Sequence, residues 1–176
     1  MPLGISLALL PLLILANAFF VAAEYAVVSV RPAQIAALRK TRRRGTAIAI
    51  EQLKADPTSA IGAIQVCITM TNLMLGWIGE PAMSRVLHII LGPIGGFIPA
   101  AIFAAFSTAL SFIVVTLLTV VLSELLPKAL TLRYGLFAAM LTARPTVWIQ
   151  RRLAAGLADE PHRQRRHAAA GFGACR

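Results

Sequence analysis

The sequence places a glutamate and a proline three residues apart at the end of a long apolar run, in the stretch VVLSELLPKALTLRYG (residues 120–135). Pro127 has no N–H, so the carbonyl four residues earlier, that of Ser123, loses its helical hydrogen-bond partner. A free carbonyl oxygen beside the Glu124 carboxylate provides two hard oxygen ligands of the kind that bind Mg²⁺ or Ca²⁺. The spacing therefore indicates a cation site at membrane depth.

The same residues also allow an interpretation that involves no ion. Pro127 could simply kink the helix, while Glu124 pairs with Lys128 four residues later and the lysine reaches the lipid headgroups. Taken alone, this stretch leaves both interpretations open.

A polar stripe in the second apolar segment favours the ion site. Gly62, Gln65, Thr69, Asn72 and Gly76 recur at spacings of three and four, so they share one helix face. Small residues allow helices to approach closely, and the amide oxygens of the stripe are potential ligands. A packing seam held by amide hydrogen bonds is the alternative. Both interpretations predict that this polar stripe packs against another span.

Further polar residues lie in the other apolar segments. Asn17 and Glu24 are seven residues apart and share a face, and we expect a structural or ion-coupling role for them rather than direct ligation. Glu80 is predicted to be a solvated interfacial residue, with a ligand in an external vestibule as the alternative. Ser107 and Ser111 are expected to bond back to carbonyls of their own helix.

Three apolar segments are long enough to position these groups in a bilayer. The chain is 58% hydrophobic and 14% charged, with a mean hydropathy of +0.76, which is typical of a membrane protein. Crossing the hydrocarbon takes about 20 apolar residues in a helix. The segments that qualify are about 3–30, 59–77 and 99–122, which predicts an all-α membrane protein with three transmembrane helices.

The basic residues predict the orientation. They fall in one block from Arg31 to Lys54 and another from Lys128 onward, and Arg85 alone lies between the blocks. The positive-inside rule then puts the N-terminus outside and the C-terminus in the cytoplasm. Juxtamembrane helices at about 32–55 and 128–150 would form a belt on the inner leaflet. The net charge of +10 is thus assigned to contact with lipid, and no nucleic-acid partner is expected.

Three stretches of the sequence resemble the transmembrane domain of the CorC/CNNM family, the HlyC/CorC-type magnesium and cobalt efflux proteins. They are NAFFVAAEYAVVSVR in the first span, AIQVCITMTNLMLGWIGEPA in the second and LSELLPKALTLRYG after the third. Their order and spacing also match, and residues 1–150 are interpreted as one domain of this type. The resemblance implies three transmembrane helices, a cytoplasmic helical belt and a homodimer.

The resemblance also implies a function. It implies export of Mg²⁺, and possibly Co²⁺, driven by inward Na⁺, with no permanently bound cofactor. On matching positions, Glu124 and the freed Ser123 backbone would form the core of the site, with Asn72 as a further ligand and Pro127 and Gly76 shaping it. Many members have serine where Ala23 precedes Glu24, so a hydroxyl ligand at that place is missing here. Many also have glycine where Ser123 stands, a change that alters packing but keeps the carbonyl.

The C-terminal part departs further from the family. Members continue into a pair of nucleotide-binding CBS modules, whereas an Arg- and Ala-rich stretch occupies residues 151–176 here. We expect that stretch to be a disordered basic tail of a truncated or frameshifted product, with a basic tail on the inner leaflet as the alternative. The alternative function is a non-transporting membrane anchor, dimerisation module or regulator. No enzyme is expected, because no nucleophile, base and orienting group assemble at a recognisable spacing.

Overall fold

Three long apolar helices provide the candidate membrane spans. The structure is a computed structural model that describes residues 3–95 and 99–172, with side chains described as far as residue 155 except at 94, 95 and 154. Helix α1 covers Leu3–Ser29, α4 covers Pro57–Gly95 and α5 covers Ala100–Leu118. The segments Leu3–Ser29, Pro57–Pro93 and Ala100–Arg133 are each long and apolar enough to cross a membrane. The expected all-α class with three candidate spans is confirmed.

Shorter helices connect and follow the spans. They are α2 (Pro32–Arg39), α3 (Arg44–Ala55), α6 (Leu126–Arg133) and α7 (Gly135–Phe172). The expected start of the second span has a visible cause, because the Asp56 carboxylate accepts the backbone N–H of Ser59 at 3.1 Å and Pro57 occupies the first turn.

The third span changes its helical type before Pro127. After α5, a π-helical segment covers Thr119–Leu125, and the N–H of Leu126 bonds to the carbonyl of Val121, five residues back. A proline lacks an N–H and its ring crowds the carbonyl four residues earlier, so a wider turn just ahead of it relieves both problems. The predicted break in the helix is therefore a π-helical turn.

Helix α1 is the central element, since α4, α6, α7 and the π-helical segment all pack against it. Around its C-terminal half lies a core of small and branched residues that includes Ala26, Val30, Ile50 and Ile64. Lys54 of α3 donates hydrogen bonds to the carbonyls of Val27 at 3.1 Å and Val30 at 2.7 Å. These bonds fix α3 to the end of α1, and we call α2, α3, α6 and α7 together the belt.

Two features differ from the sequence predictions. The second span was expected to end at about residue 77, but α4 continues through Pro81 and Pro93 to Gly95. Each proline removes one backbone hydrogen bond, a loss that membrane helices tolerate. A disordered tail was expected over residues 151–176, but α7 continues to Phe172, in keeping with the high helix propensity of Ala, Leu and Arg. Residues 173–176 lie outside the described part.

Candidate cation site

A hydrogen-bonded cluster joins all three candidate spans. It contains one residue of α1, two of α4 and two of the π-helical segment, and we call it the polar cluster: Asn17, Thr71, Asn72, Ser123 and Glu124. Polar groups are costly at membrane depth unless they find partners, so a connected set of this kind fixes the helices relative to one another.

Asn17 is the centre of the polar cluster. Its side chain is fully buried, and its Nδ2 donates to Asn72 Oδ1 at 2.9 Å and to Ser123 Oγ at 3.0 Å. Its Oδ1 accepts the hydroxyl of Thr71 at 2.7 Å. These bonds use both hydrogens of the Asn17 side-chain amide and one lone pair of its oxygen. The structure places Asn17 in the bundle core, as the residue that connects the three spans.

Glu124 has little compensation from the protein. Its side chain is half-buried, and Asn72 Nδ2 donates to Glu124 Oε1 at a long 3.3 Å. Within the residues described, no other side-chain hydrogen bond reaches this carboxylate, so its second oxygen has no protein partner. A carboxylate with one long hydrogen bond and no counter-ion at membrane depth is chemically suited to accept a cation.

The alternative pair of Glu124 with Lys128 is not formed. In the described part of the chain, Glu124 and Lys128 form no ion pair within 4.0 Å, whereas Arg39 and Glu51 form one at 3.7 Å on the surface of the belt. Lys128 instead holds its ammonium 4.9 Å from the ring centre of Tyr25 on α1. The π-helical turns alter the register between positions 124 and 128, and the simple α-helical spacing of four no longer applies.

Ser123 contributes more than its backbone. Its side chain is fully buried, its hydroxyl donates to the Thr119 carbonyl at 2.6 Å, and its Oγ accepts from Asn17. The hydroxyl therefore attaches the π-helical segment to α1. Pro127 is also buried, and it lines an apolar groove between α1 and α7.

The predicted polar stripe of α4 mostly faces away from the bundle. Gly62, Gln65, Thr69 and Gly76 are exposed, and a Cβ added at either glycine would meet no atom within 4 Å. The expectation that this face packs against another span is wrong for spans of the same chain. The reason is that α4 buries the neighbouring face, which carries Ile64, Thr71 and Leu75, so that only Asn72, at the edge of that face, reaches the cluster. Thr69 bonds back to the carbonyl of Gln65 at 2.8 Å.

Two further outcomes concern acidic and hydroxyl side chains. Glu24 is half-buried and does not join the polar cluster, although it lies near enough to Lys128 to attract it electrostatically.

Thr71 was missed by sequence reasoning. The available signal was its position on the apolar face of α4, seven residues after Ile64 and four before Leu75, where a hydroxyl needs a partner. In the described residues, no group of three or more His, Cys, Asp or Glu side chains could hold a metal.

Comparisons with known proteins agree with this architecture. Residues 8–155 match the family described as CNNM, the cyclin M transmembrane N-terminal domain. The UPF0053 proteins YrkA and YhdT of Bacillus subtilis are 32% identical over 147 residues and 37% identical over 140 residues, covering 84% and 80% of this chain. An uncharacterized protein of Mycobacterium tuberculosis is 36% identical over 137 residues, or 76% of this chain. The aligned parts cover 33%, 30% and 37% of these relatives, so the chain spans about a third of their length.

Proposed function

The chain belongs to the CNNM transmembrane-domain family, and we propose that it is a secondary transporter that exports Mg²⁺, with Na⁺ as the driving ion. The observation that carries the proposal is the under-coordinated Glu124 carboxylate, which lies in a π-helical break and is hydrogen-bonded to Asn72 of another span. Residues that ionise inside membrane segments most often mark ion pathways, and π-helical turns often mark functional sites.

The proposed ligands are oxygens of three residues. Glu124 supplies a carboxylate, Asn72 an amide oxygen and Ser123 a backbone carbonyl that Pro127 leaves without its usual partner. Mg²⁺ requires octahedral oxygen coordination and keeps several waters, so three protein ligands and water can complete its shell. A single carboxylate also limits the affinity, and an ion that is to be released must not be held too tightly.

Ion binding in this arrangement would rearrange the polar cluster. Asn72 now directs its N–H toward Glu124 and its oxygen toward Asn17, so an ion bound between Asn72 and Glu124 must replace the 3.3 Å hydrogen bond. When the Asn72 oxygen turns to the ion, its bond to Asn17 is shared or lost. The first and second spans would thereby respond to occupancy of the site.

We also propose a homodimer, with the exposed face of α4 covered by a second copy. Gln65 and Thr69 are polar groups that would otherwise face lipid, and Gly62 and Gly76 leave room for a close helix approach. The basic blocks support an external N-terminus and a cytoplasmic belt in the inner membrane of a bacterium.

Mg²⁺ flux in proteoliposomes tests the function. The purified chain, Glu124→Gln and the matched control Glu51→Gln on the belt would be compared with and without a Na⁺ gradient. We expect gradient-dependent flux in the wild type and in Glu51→Gln, and none in Glu124→Gln, because only that substitution removes the ligand charge. Equal flux in Glu124→Gln would contradict the proposal.

The second candidate is a non-transporting anchor or regulator. It is favoured by one observation, that Asn17 bonds to residues of both other candidate spans, so the polar cluster can hold the spans together without an ion. Absence of flux from a folded wild-type chain that still binds Mg²⁺ would support it over the transporter.

A further inference from the structure

A second acidic group contacts a buried serine between α4 and α5. Ser111 Oγ lies 3.4 Å from Glu80 Oε1 and donates to the Thr108 carbonyl at 2.8 Å. A hydroxyl has one hydrogen, and the shorter contact holds it, so the Glu80 carboxylate receives little compensation. Glu80 is eight residues from Asn72 on the same helix, roughly 12 Å along its axis at 1.5 Å per residue. This group is therefore separate from the polar cluster.

Ser107 adds an independent observation. It lies one turn from Ser111 on α5 and is fully buried, and within the described chain its hydroxyl has no hydrogen-bond partner. The sequence predicted a bond from this hydroxyl back to its own helix, and that prediction is wrong. A buried polar group without a partner is costly, and it calls for a ligand or another explanation.

The packing of α5 places Ser107 one turn from Glu80. Helix α4 is the main neighbour of α5, so the buried face that carries Ser107, Ser111 and Val115 is turned toward α4. Two contacts show how the antiparallel helices are aligned: Glu80 of α4 lies beside Ser111 of α5, and the His88 ring of α4 lies 5.1 Å from the Phe103 ring of α5. Residue numbers therefore rise along α4 as they fall by the same amount along α5. Ser107 therefore lies level with Ser84, one turn from Glu80.

The helices are also closely packed next to this group. A Cβ added at Gly79 would lie 3.0 Å from Leu10 Cδ2 and 3.0 Å from Val115 Cγ1. Glycine thus lets α4 approach α1 and α5 beside Glu80, which keeps the serine hydroxyls and the carboxylate in a narrow space. Trp77 is 83% exposed one turn away, as expected for a residue at the membrane interface.

We propose that Glu80, Ser111 and Ser107 form a second cation site, for one hard monovalent ion of the Na⁺ type. One carboxylate balances one positive charge, and the unpartnered Ser107 oxygen gains a role as a neutral ligand. Hydroxyls are weaker ligands than the amide and carbonyl oxygens proposed for the site at Glu124, which we call the first site. Because Mg²⁺ gives up its water reluctantly, the site at Glu80, which we call the outer site, favours the monovalent ion. The inference deepens the proposed function and rests on it in assigning the driving ion to this place.

The site lies where a driving ion would enter. The charge distribution puts the connection between α4 and α5 on the exterior side, and Glu80 lies on α4 between this connection and Asn72, two turns from Asn72. Occupancy of the outer site can therefore be transmitted to the first site along one continuous helix.

The test measures binding without transport. Binding of radioactive Na⁺ to the purified wild-type chain would be compared with Glu80→Gln, Ser107→Ala and Glu124→Gln, and the melting temperature of each would be recorded in equal concentrations of NaCl and choline chloride. We expect saturable Na⁺ binding and a Na⁺-dependent rise in melting temperature in the wild type and in Glu124→Gln. Glu80→Gln should lose both, and Ser107→Ala should weaken Na⁺ affinity about tenfold, as loss of one ligand-sphere group does.

Ser107→Ala separates a ligand from a packing residue. If Ser107 only packs, removing an unpartnered hydroxyl leaves Na⁺ binding unchanged and keeps or raises the melting temperature in both salts. That outcome would overturn the inference, as would Na⁺ binding that is lost in Glu124→Gln and kept in Glu80→Gln, or a wild-type chain that binds Mg²⁺ but no Na⁺. Na⁺ binding at Glu80 without any Mg²⁺ flux would instead uphold this site and count against the proposed transport.

Discussion

Asn17 shows how one buried amide can determine the arrangement of three spans. It donates to Asn72 and Ser123 and accepts from Thr71, so each candidate span contributes to its environment. Glu124 shows the opposite condition, since its carboxylate has one long hydrogen bond from Asn72. The contrast between a fully paired connector and a poorly paired carboxylate separates a structural role from a ligand role within one cluster.

We predict that Asn17→Ala destabilises the fold. The substitution leaves Asn72 Oδ1 without its donor inside the bundle, and an orphaned buried group costs about 1–3 kcal/mol. The free energy of unfolding in mixed micelles would be compared with that of Leu12→Ala, a 61% exposed position on the same helix, where a change within about 0.5 kcal/mol is expected. Equal stability of the two variants would show that the cluster does not hold the spans together.

At the scale of elements, the π-helical segment Thr119–Leu125 positions both Ser123 and Glu124. A regular α-helix would carry these side chains at a different rotation about the axis, and the Ser123 carbonyl would bond to the N–H of residue 127. Pro127 prevents that bond, so the geometry of the site depends on one residue that supplies no ligand side chain.

Pro127→Ala is predicted to weaken cation binding while every proposed ligand side chain remains. The alanine N–H pairs with the Ser123 carbonyl, removes one ligand and favours a regular helix. A loss of about tenfold in Mg²⁺ affinity, equivalent to 1.4 kcal/mol, is expected from titration of the purified variant beside the wild type. Wild-type affinity would mean that the proline kinks the helix for packing alone.

The sequence predicted the elements better than their contacts. The spans follow from local chemistry, such as the apolar run before Glu124, and these positions were found. Which face of α4 is buried was not predicted correctly, because Gln65 and Thr69 have the same spacing whether they point into the bundle or out of it. Thr71 and the unpaired state of Ser107 depend on which helix lies opposite, and that is set by tertiary packing.

At the scale of the whole molecule, the exposed face of α4 is the feature that a single chain does not explain. Gly62, Gln65, Thr69 and Gly76 lie along it, and polar or small groups at membrane depth are usually covered by another helix. A second copy of the chain would bring this face, and Asn72 at its edge, to the interface. The first cation site would then lie close to the contact between protomers.

Gly76→Leu is accordingly predicted to shift the chain from dimer toward monomer. Helix α1 offers a matched control in Gly4→Leu, because Gly4 is also exposed and also meets no atom within 4 Å of an added Cβ. Light scattering of the purified proteins in detergent gives the mass of each. A dimer in Gly4→Leu and a monomer in Gly76→Leu are expected, and dimers in both would remove the α4 face as the interface.

The most direct measurement of the central claim, that Glu124 is the charged ligand of the cation site, is a calorimetric titration of Mg²⁺ into the purified chain. Wild type would be compared with Glu124→Gln and with Glu24→Gln, which removes an acidic group outside the polar cluster. We predict saturable binding in the wild type and Glu24→Gln, and none in a folded Glu124→Gln. Binding that survives in Glu124→Gln, or that is lost in Glu24→Gln instead, would contradict the account.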